Sequence, residues 1–393
     1  MDKNKMWHLY LYFTMRNRRN LNFYFSVIDQ LFFSSFVKYK GDYEFQKWLK
    51  LNNDITINFN RKNHYSHITV CIEIIGVSDK YLASNNKMNF IKEFLSMLFN
   101  KDGWKIDKKI FENIKASLNH QALHYEYDAS RYSFDQNLRF FFDEDTYLKL
   151  TLFNKEEIDD IDIYDIEAIF HQMVSSYTRF IGLGFNEEEL EEIKSLLPKV
   201  NQLPLIQGYN KRRIFKDHII VKEGYGSCLS MGFHAPNINR VYEEFIIYSF
   251  VHEEMFFFEH LRETCGYFYY FEPYYMPDFS YMVLSFPISY EVLLDVLVDV
   301  QDFFTDPEKH CSRELFNNIL NEFLLDIKAS IGSKEERIDF ERKEMMETSP
   351  KSFDEYVSML SNFTYENYVV TLKNLKYVGS VFVESEDEED DAF

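Results

Sequence analysis

Cysteine is scarce in this chain of 393 residues: Cys71, Cys228, Cys265 and Cys311 stand far apart, with no pair at metal-knuckle or redox spacing. A disulfide scaffold is excluded, and the four read as reduced core thiols. Glycine is scarce too, at 12 residues, and neither a glycine-rich phosphate loop nor a glycine-flanked nucleophilic serine occurs. Basic residues are outnumbered, 43 Lys and Arg against 64 Asp and Glu, for a net charge of -21. A nucleic-acid surface needs a basic stripe to neutralise phosphates, so this balance argues against DNA and RNA as partners. No membrane span is expected. The apolar stretch from Trp7 to Met15 is too short for a bilayer, lacks a small-residue cleavage site, and has Arg16, Arg18 and Arg19 behind it rather than before it. The expected location is the cytosol.

The 46% hydrophobic content fills sizeable cores, and the length allows two or three domains. The 40 Phe and 28 Tyr are read as compositional bias rather than function. Strand composition marks Met6 to Thr14, Asp54 to Phe59, His67 to Ile75 and Arg179 to Gly184. Helical spacing marks Asn22 to about Val37, Asn89 to Leu98, Lys108 to about Tyr125, Ile163 to Val174 and Glu187 to Leu196. The stretch from Leu197 to about Asn210, with Pro198 and Pro204, has little periodicity and reads as a linker.

Beyond it, Ile214 to Val221 and Cys228 to Phe233 read as strands, Tyr242 to Glu263 as one long helix, and the aromatic run to Phe286 as further strands. Two helical stripes follow, Val292, Leu293, Val296, Leu297 and Val300, then Leu315, Ile319, Leu320, Phe323 and Ile327, both expected in the core. Glu366 to Leu375 and Val378 to Val383 complete the pattern as helix and strand. Each half ends with an acidic turn, a helix and a short apolar strand, a repeat of fold rather than sequence. The class is α+β: two similar domains, each a mainly antiparallel sheet with helices packed on one face. The expected divisions are 1–197, a linker at 198–210, 211–383, and an acidic disordered tail at 384–393.

One corner concentrates the chemistry. In Leu261-Arg262-Glu263-Thr264-Cys265-Gly266-Tyr267-Phe268-Tyr269, Gly266 ends a helix, and a cation and a phenol flank it. Arg262 offers a planar fork of donors for carbonyls or carboxylates, and Tyr269 a phenol able to donate to an oxyanion. An ordinary cap and a packed ring would look the same.

This stretch resembles the L-R-E-x-x-G-L-x-Y signature in the second domain of the insulinase-type zinc peptidases, which include the mitochondrial processing peptidases and small bacterial two-chain relatives. Leu261, Arg262, Glu263, Gly266 and Tyr269 follow it, with Tyr267 at the Leu position. Cys228 to Pro236 and Tyr177 to Phe185 resemble flanking strands of the same family, so the resemblance runs over nearly the whole chain. It implies two similar α+β domains and a zinc site in the first, where H-x-x-E-H places two ligands on one helix face and a general base between them.

That motif is missing. The best match is Ser26-Val27-Ile28-Asp29-Gln30, where Ser26 and Gln30 replace the ligands and Asp29 the base; the family's third ligand would fall near Asn119 or His120. A hydroxyl and an amide are weak zinc ligands. No catalytic or metal-binding residue is therefore carried over.

Other histidines imitate a site. His120 and His124 have helical i, i+4 spacing, but Leu123 occupies the base position. His64 and His67 should point to opposite faces of a regular strand. His252, Glu253, Glu254, Glu259 and His260 read as a solvated face of the helix before Arg262.

The resemblance then implies a non-catalytic subunit of a two-chain peptidase. Arg262 would bind substrate peptide and Tyr269 would bond near the reacting carbonyl, facing a chamber whose zinc belongs to an H-x-x-E-H partner chain. No cofactor is expected in this chain. Such pairs accompany peptide maturation, including that of bacteriocins of the subtilosin kind. Two alternatives remain open: a peptide-binding scaffold with no peptidase role, and an active metallopeptidase drawing ligands from His120, His124 and nearby carboxylates.

Overall fold

A computed structural model describes residues 6–39, 41–78, 86–151, 155–198, 211–236, 238–332 and 334–386. The first half runs β1 (Met6–Arg16), α1 (Leu21–Leu31), α2 (Asp42–Leu51), β2 (Thr56–Asn63), β3 (His67–Val77), α3 (Lys87–Phe99) and α4 (Lys108–Tyr127). It continues through α5 (Ala129–Phe141), α6 (Glu144–Leu150), α7 (Lys155–Asp160), α8 (Ile163–Val174), β4 (Tyr177–Leu183) and α9 (Glu187–Leu196). The second half opens with β5 (His218–Glu223), β6 (Ser227–His234) and α10 (Arg240–Val251), then a π-helical turn at Phe257–Thr264, β7 (Glu272–Met276) and β8 (Tyr281–Phe286). Helices α11 (Leu293–Thr305), α12 (Pro307–His310), α13 (Arg313–Ser330), α14 (Lys334–Glu344), α15 (Phe353–Ser361) and α16 (Tyr365–Asn374) lead into β9 (Lys376–Glu386). Of the linker expected over 198–210, residues 199–210 lie outside the described residues, as do 387–393 of the acidic tail expected over 384–393, whose first three residues end β9.

The chain falls into two compact units, 1–122 with 148–207 and 346–348, and 123–147 with 208–345 and 349–393. In the first, four antiparallel strands lie in the order β2-β3-β1-β4. Side chains alternate across a strand, so Leu9, Leu11, Phe13 and Met15 share one face with Ile68, Val70, Ile72 and Ile74 in one apolar core. That core takes the inner sides of α1, α3 and α8 through residues such as Phe25, Phe94 and Phe170. Asn186 closes the start of α9 with a reciprocal capping box to Glu189, satisfying two otherwise orphaned donors.

In the second unit five strands run β5-β9-β6-β8-β7, antiparallel except for the β5–β9 pair. Leu229, Met231, Phe233, Met282, Leu284 and Phe286 face a helical layer holding Phe245, Val300, Phe316 and Tyr368. The opposite face of this sheet is covered as well. Ala129 of α5 packs there with Cys228, Val381 and Val383, and Asn137 Nδ2 donates to Ser230 O at 2.8 Å while the Tyr281 hydroxyl donates to Asn137 Oδ1. Gly232 leaves room for this contact: a Cβ there would lie 2.0 Å from the Tyr281 hydroxyl oxygen. The architecture is thus α+β with mainly antiparallel sheets, one of them covered on both faces.

Several elements differ from expectation. The helix expected over Asn22 to Val37 stops at Leu31, and the chain turns through a short 3-10 segment at Phe33–Ser35 that buries Phe32 and Phe36. Helices α2, α5, α14 and α15 were not expected; α14 is polar nearly all round, so no apolar period announces it. The long helix over Tyr242 to Glu263 is two pieces. Its first part ends at Val251, and His252 is extended (φ -71, ψ 136). A continued α-helix would turn Glu253 toward the buried face of Phe245 and Ser249 and turn Met255 outward, whereas here Glu253 and Glu254 are exposed and Met255 is fully buried.

Candidate functional site

The corner around Gly266 is built by a π-helical turn, in which hydrogen bonds reach five residues back instead of four. Cys265 N–H donates to His260 O at 2.9 Å. Gly266 then adopts the left-handed conformation (φ 67), where a side chain would be strained although the space beyond is open. Gly266 N–H reaches Arg262 O at 3.1 Å and Tyr267 N–H reaches Leu261 O at 3.0 Å, each one residue wider than in the usual glycine-ended α-helix. The inner side is anchored by Phe257 and Leu261, both fully buried, and by stacking of Phe257 on Phe271 at 5.1 Å.

Arg262 projects from the outer side between two aromatic rings. Its guanidinium carbon lies 4.2 Å from the Phe258 centroid and 4.9 Å from that of Tyr269. Nε is 3.5 Å from Glu263 Oε1. Among the described residues, neither its terminal nitrogens nor the Tyr269 hydroxyl has a protein hydrogen-bond partner, and Tyr269 is 80% exposed. The tertiary structure therefore brings together the cation and phenol that the sequence singled out. Phe258 was not singled out, although its position four residues before Arg262 places it on the same helical face.

The segment that the resemblance aligns with the zinc motif lies on α1. Ser26 Oγ donates to Phe23 O at 2.7 Å, a bond back along its own helix. Asp29 Oδ2 is 4.0 Å from an Arg61 nitrogen; desolvation raises its pKa and the nearby guanidinium opposes that shift. Gln30 is exposed. Where the resemblance would put a third ligand, near Asn119 or His120, Asn119 Nδ2 meets Asp159 Oδ1 at 3.4 Å, and His120 and His124 are exposed on α4.

Three expectations about histidine and cysteine change. His64 and His67 do not point to opposite faces: they flank a tight turn, His64 N–H donates to His67 O at 2.8 Å, and the buried rings stack 4.4 Å apart. Residues facing one another across a hairpin share a side. His252 leaves the helix and lies 3.3 Å from Glu322. Cys71, Cys228 and Cys311 are buried thiols, whereas Cys265 is partly exposed, with Sγ 3.7 Å from His260 Nε2. His260 Nε2 also lies 3.9 Å from Asp299 Oδ2 on α11. Residues five apart do not meet on an α-helix, so helical spacing concealed this group.

No family model and no curated protein matches the sequence. Solved structures do match the fold. A conserved protein from Enterococcus faecalis V583 aligns with a TM-score of 0.83 at 14% identity, over 99% of this chain and 96% of that one. The inactive domain of an M16 peptidase from Pseudomonas fluorescens aligns at 0.74 and 10% identity, over 98% and 94%. The fold is that of the insulinase-type, or M16, peptidases. The periplasmic protease PqqL from Escherichia coli aligns at 0.69 and 12% identity, with 98% of this chain matching 43% of that chain. An insulinase-type fold of this length thus corresponds to less than half of that protease. Among the described residues no helix is long and apolar enough to cross a membrane.

Proposed function

We propose that this chain is a non-catalytic, substrate-binding subunit of a heteromeric zinc peptidase, with cleavage carried out by a partner chain bearing H-x-x-E-H. The observation that carries the reading is the contrast between two places in one insulinase-type fold. The helix that would hold zinc offers Ser26, Asp29 and Gln30, while Arg262 and Tyr269 keep donors that no protein group among the described residues uses. Similarity to an inactive M16 domain supports it.

In this role Arg262 grips a carbonyl or carboxylate of the peptide, with its guanidinium plane held between Phe258 and Tyr269, and Tyr269 bonds near the carbonyl under attack. Zinc belongs to the partner, which supplies the activated water. Strand β7 begins three residues after Tyr269 and is an edge of its sheet. An extended peptide added there gains main-chain hydrogen bonds, and Pro273, which lacks a donor, is tolerated because it sits on an edge. The net charge of -21 favours a basic peptide or partner. A cytoplasmic peptide-maturation system, such as leader removal from a bacteriocin, is the setting that fits.

Co-purification with an H-x-x-E-H protein of this fold from the same source, followed by peptide-cleavage assays on each chain and the mixture, tests the proposal. A complex whose cleavage exceeds that of either chain and falls at least tenfold with Arg262→Ala is expected. Cleavage by this chain alone overturns it, and no complex together with no effect of Arg262→Ala leaves the scaffold reading.

A further inference from the structure

His260, Cys265 and Asp299 each offer one ligand atom, and the three atoms lie within 4.8 Å of one another. No other group of three or more such residues occurs among the described residues. The π-turn creates half of it. On an α-helix, residues five apart point about 140° away from each other. Here the Cys265 N–H to His260 O bond sets one above the other, and Cys265 Sγ comes to 3.7 Å from His260 Nε2. Helix α11 supplies the third atom, Asp299 Oδ2, 3.9 Å from the same nitrogen.

These separations suit a shared metal ion. Bond lengths of about 2.3 Å to sulfur and about 2.0 Å to nitrogen or oxygen, at tetrahedral angles, require ligand atoms roughly 3.6 Å apart for S···N and roughly 3.3 Å for N···O. The first edge already has its length, and the second closes with a small movement of the Asp299 carboxylate, which is only partly buried. One thiolate and one carboxylate balance a divalent charge, with imidazole as the neutral third donor. The mixed S, N, O set selects a borderline-soft ion, zinc before magnesium or calcium. The imidazole is oriented by stacking on Phe256 at 5.2 Å.

We infer that His260, Cys265 and Asp299 form a binding site for a zinc-class divalent ion, with three protein ligands and an open fourth position. The ion ties the end of the π-turn to α11 and so pins the residue preceding Gly266. The site belongs to this chain alone and is separate from the zinc assigned to the partner.

Cobalt(II) titration of the purified chain tests it, because thiolate coordination produces a sulfur-to-cobalt charge-transfer band and tetrahedral geometry intensifies the visible bands. Saturation at one equivalent is expected. Cys265→Ser should abolish the charge-transfer band, Asp299→Asn and His260→Gln should weaken binding at least tenfold, and the double variant His120→Gln with His124→Gln should leave it unchanged. Circular dichroism confirms that each variant is folded; in a folded chain the buried Cys71, Cys228 and Cys311 cannot supply the thiolate. A folded wild-type chain without the band, or a band retained in Cys265→Ser, overturns the assignment. Neither partner nor peptide is present, so this result and that of the cleavage assay are independent.

Discussion

The Arg262 guanidinium lies 4.9 Å from the centre of the Tyr269 ring, across the left-handed residue Gly266. At an exposed site such a contact contributes on the order of 0.5–1 kcal/mol, too little to hold the fold but enough to orient a side chain. Tyr269→Ala should therefore leave thermal stability within about 1 kcal/mol of wild type while reducing peptide cleavage by the mixed complex roughly tenfold. Tyr269→Phe keeps the ring and removes the hydroxyl. If the hydroxyl bonds near the reacting carbonyl, the Phe variant loses kcat more than KM; equal activity of Phe and wild-type chains would assign Tyr269 to positioning Arg262 only.

Gly266 has open space beyond its Cα, so an added methyl meets backbone strain rather than a clash. Gly266→Ala should cost about 1–2 kcal/mol in denaturant unfolding, and Gly266→Asn less, since asparagine tolerates this conformation better. Equal stability of all three proteins would show that the corner relaxes.

A buried network joins α5 to the second sheet through Asn137, Ser230 and Tyr281. Asn137→Ala removes the acceptor of the buried Tyr281 hydroxyl and a donor to Ser230 O, with an expected loss of about 1–3 kcal/mol. Tyr281→Phe removes one donor and should cost less. Gly232→Ala drives a methyl into the same hydroxyl and should destabilise even though alanine suits a strand better than glycine does. Urea midpoints order the three variants, and a Tyr281→Phe loss larger than that of Asn137→Ala would contradict the network.

Asp135 gives a pH dependence with a definite sign. Burial raises its pKa above the ordinary carboxylate value, while the Tyr147 hydroxyl bond at 2.7 Å and the nearby Arg139 hold it down in part. The folded chain therefore binds this proton more tightly than the unfolded one. The penalty of the buried charge is full above the folded pKa and is relieved as pH falls through it toward the unfolded value of about 3.9. Asp135→Asn should stabilise the protein at pH 7, with the advantage shrinking toward pH 4. A destabilisation at pH 7 that fades as pH falls would mean that the Tyr147 and Arg139 contacts outweigh burial, and one equal at both pH values would mean that the ionisation of Asp135 is not linked to folding.

Much of the fold was legible because it rests on local periodicity. Strand composition in Met6 to Thr14 and alternation in His67 to Ile75 mark β1 and β3, and the stripe from Glu187 to Leu196 coincides with α9. Where burial is decided by distant partners, the pattern misleads. Ser249 and Glu253 interrupt an otherwise helical stripe without marking an end, and only the tertiary structure ends the helix at Val251, leaving Glu253 exposed and burying Met255 and Phe257. Helix α5 went unrecognised because its buried face is partly polar, with Ser133 and Asn137 fully buried against strand β6.

The sequence by itself determined the α+β plan and the placing of an arginine and a tyrosine around a glycine, for which composition, period and residue type are enough; Ser26, Asp29 and Gln30 were singled out only through the resemblance to insulinase-type peptidases. Only the tertiary structure decided that the turn before Gly266 is π-helical, that Phe258 completes the sandwich around Arg262, and that Cys265 leaves the core to meet His260 and Asp299. Those outcomes depend on how far the chain winds per residue and on what a separate helix brings alongside, neither of which is carried by linear spacing.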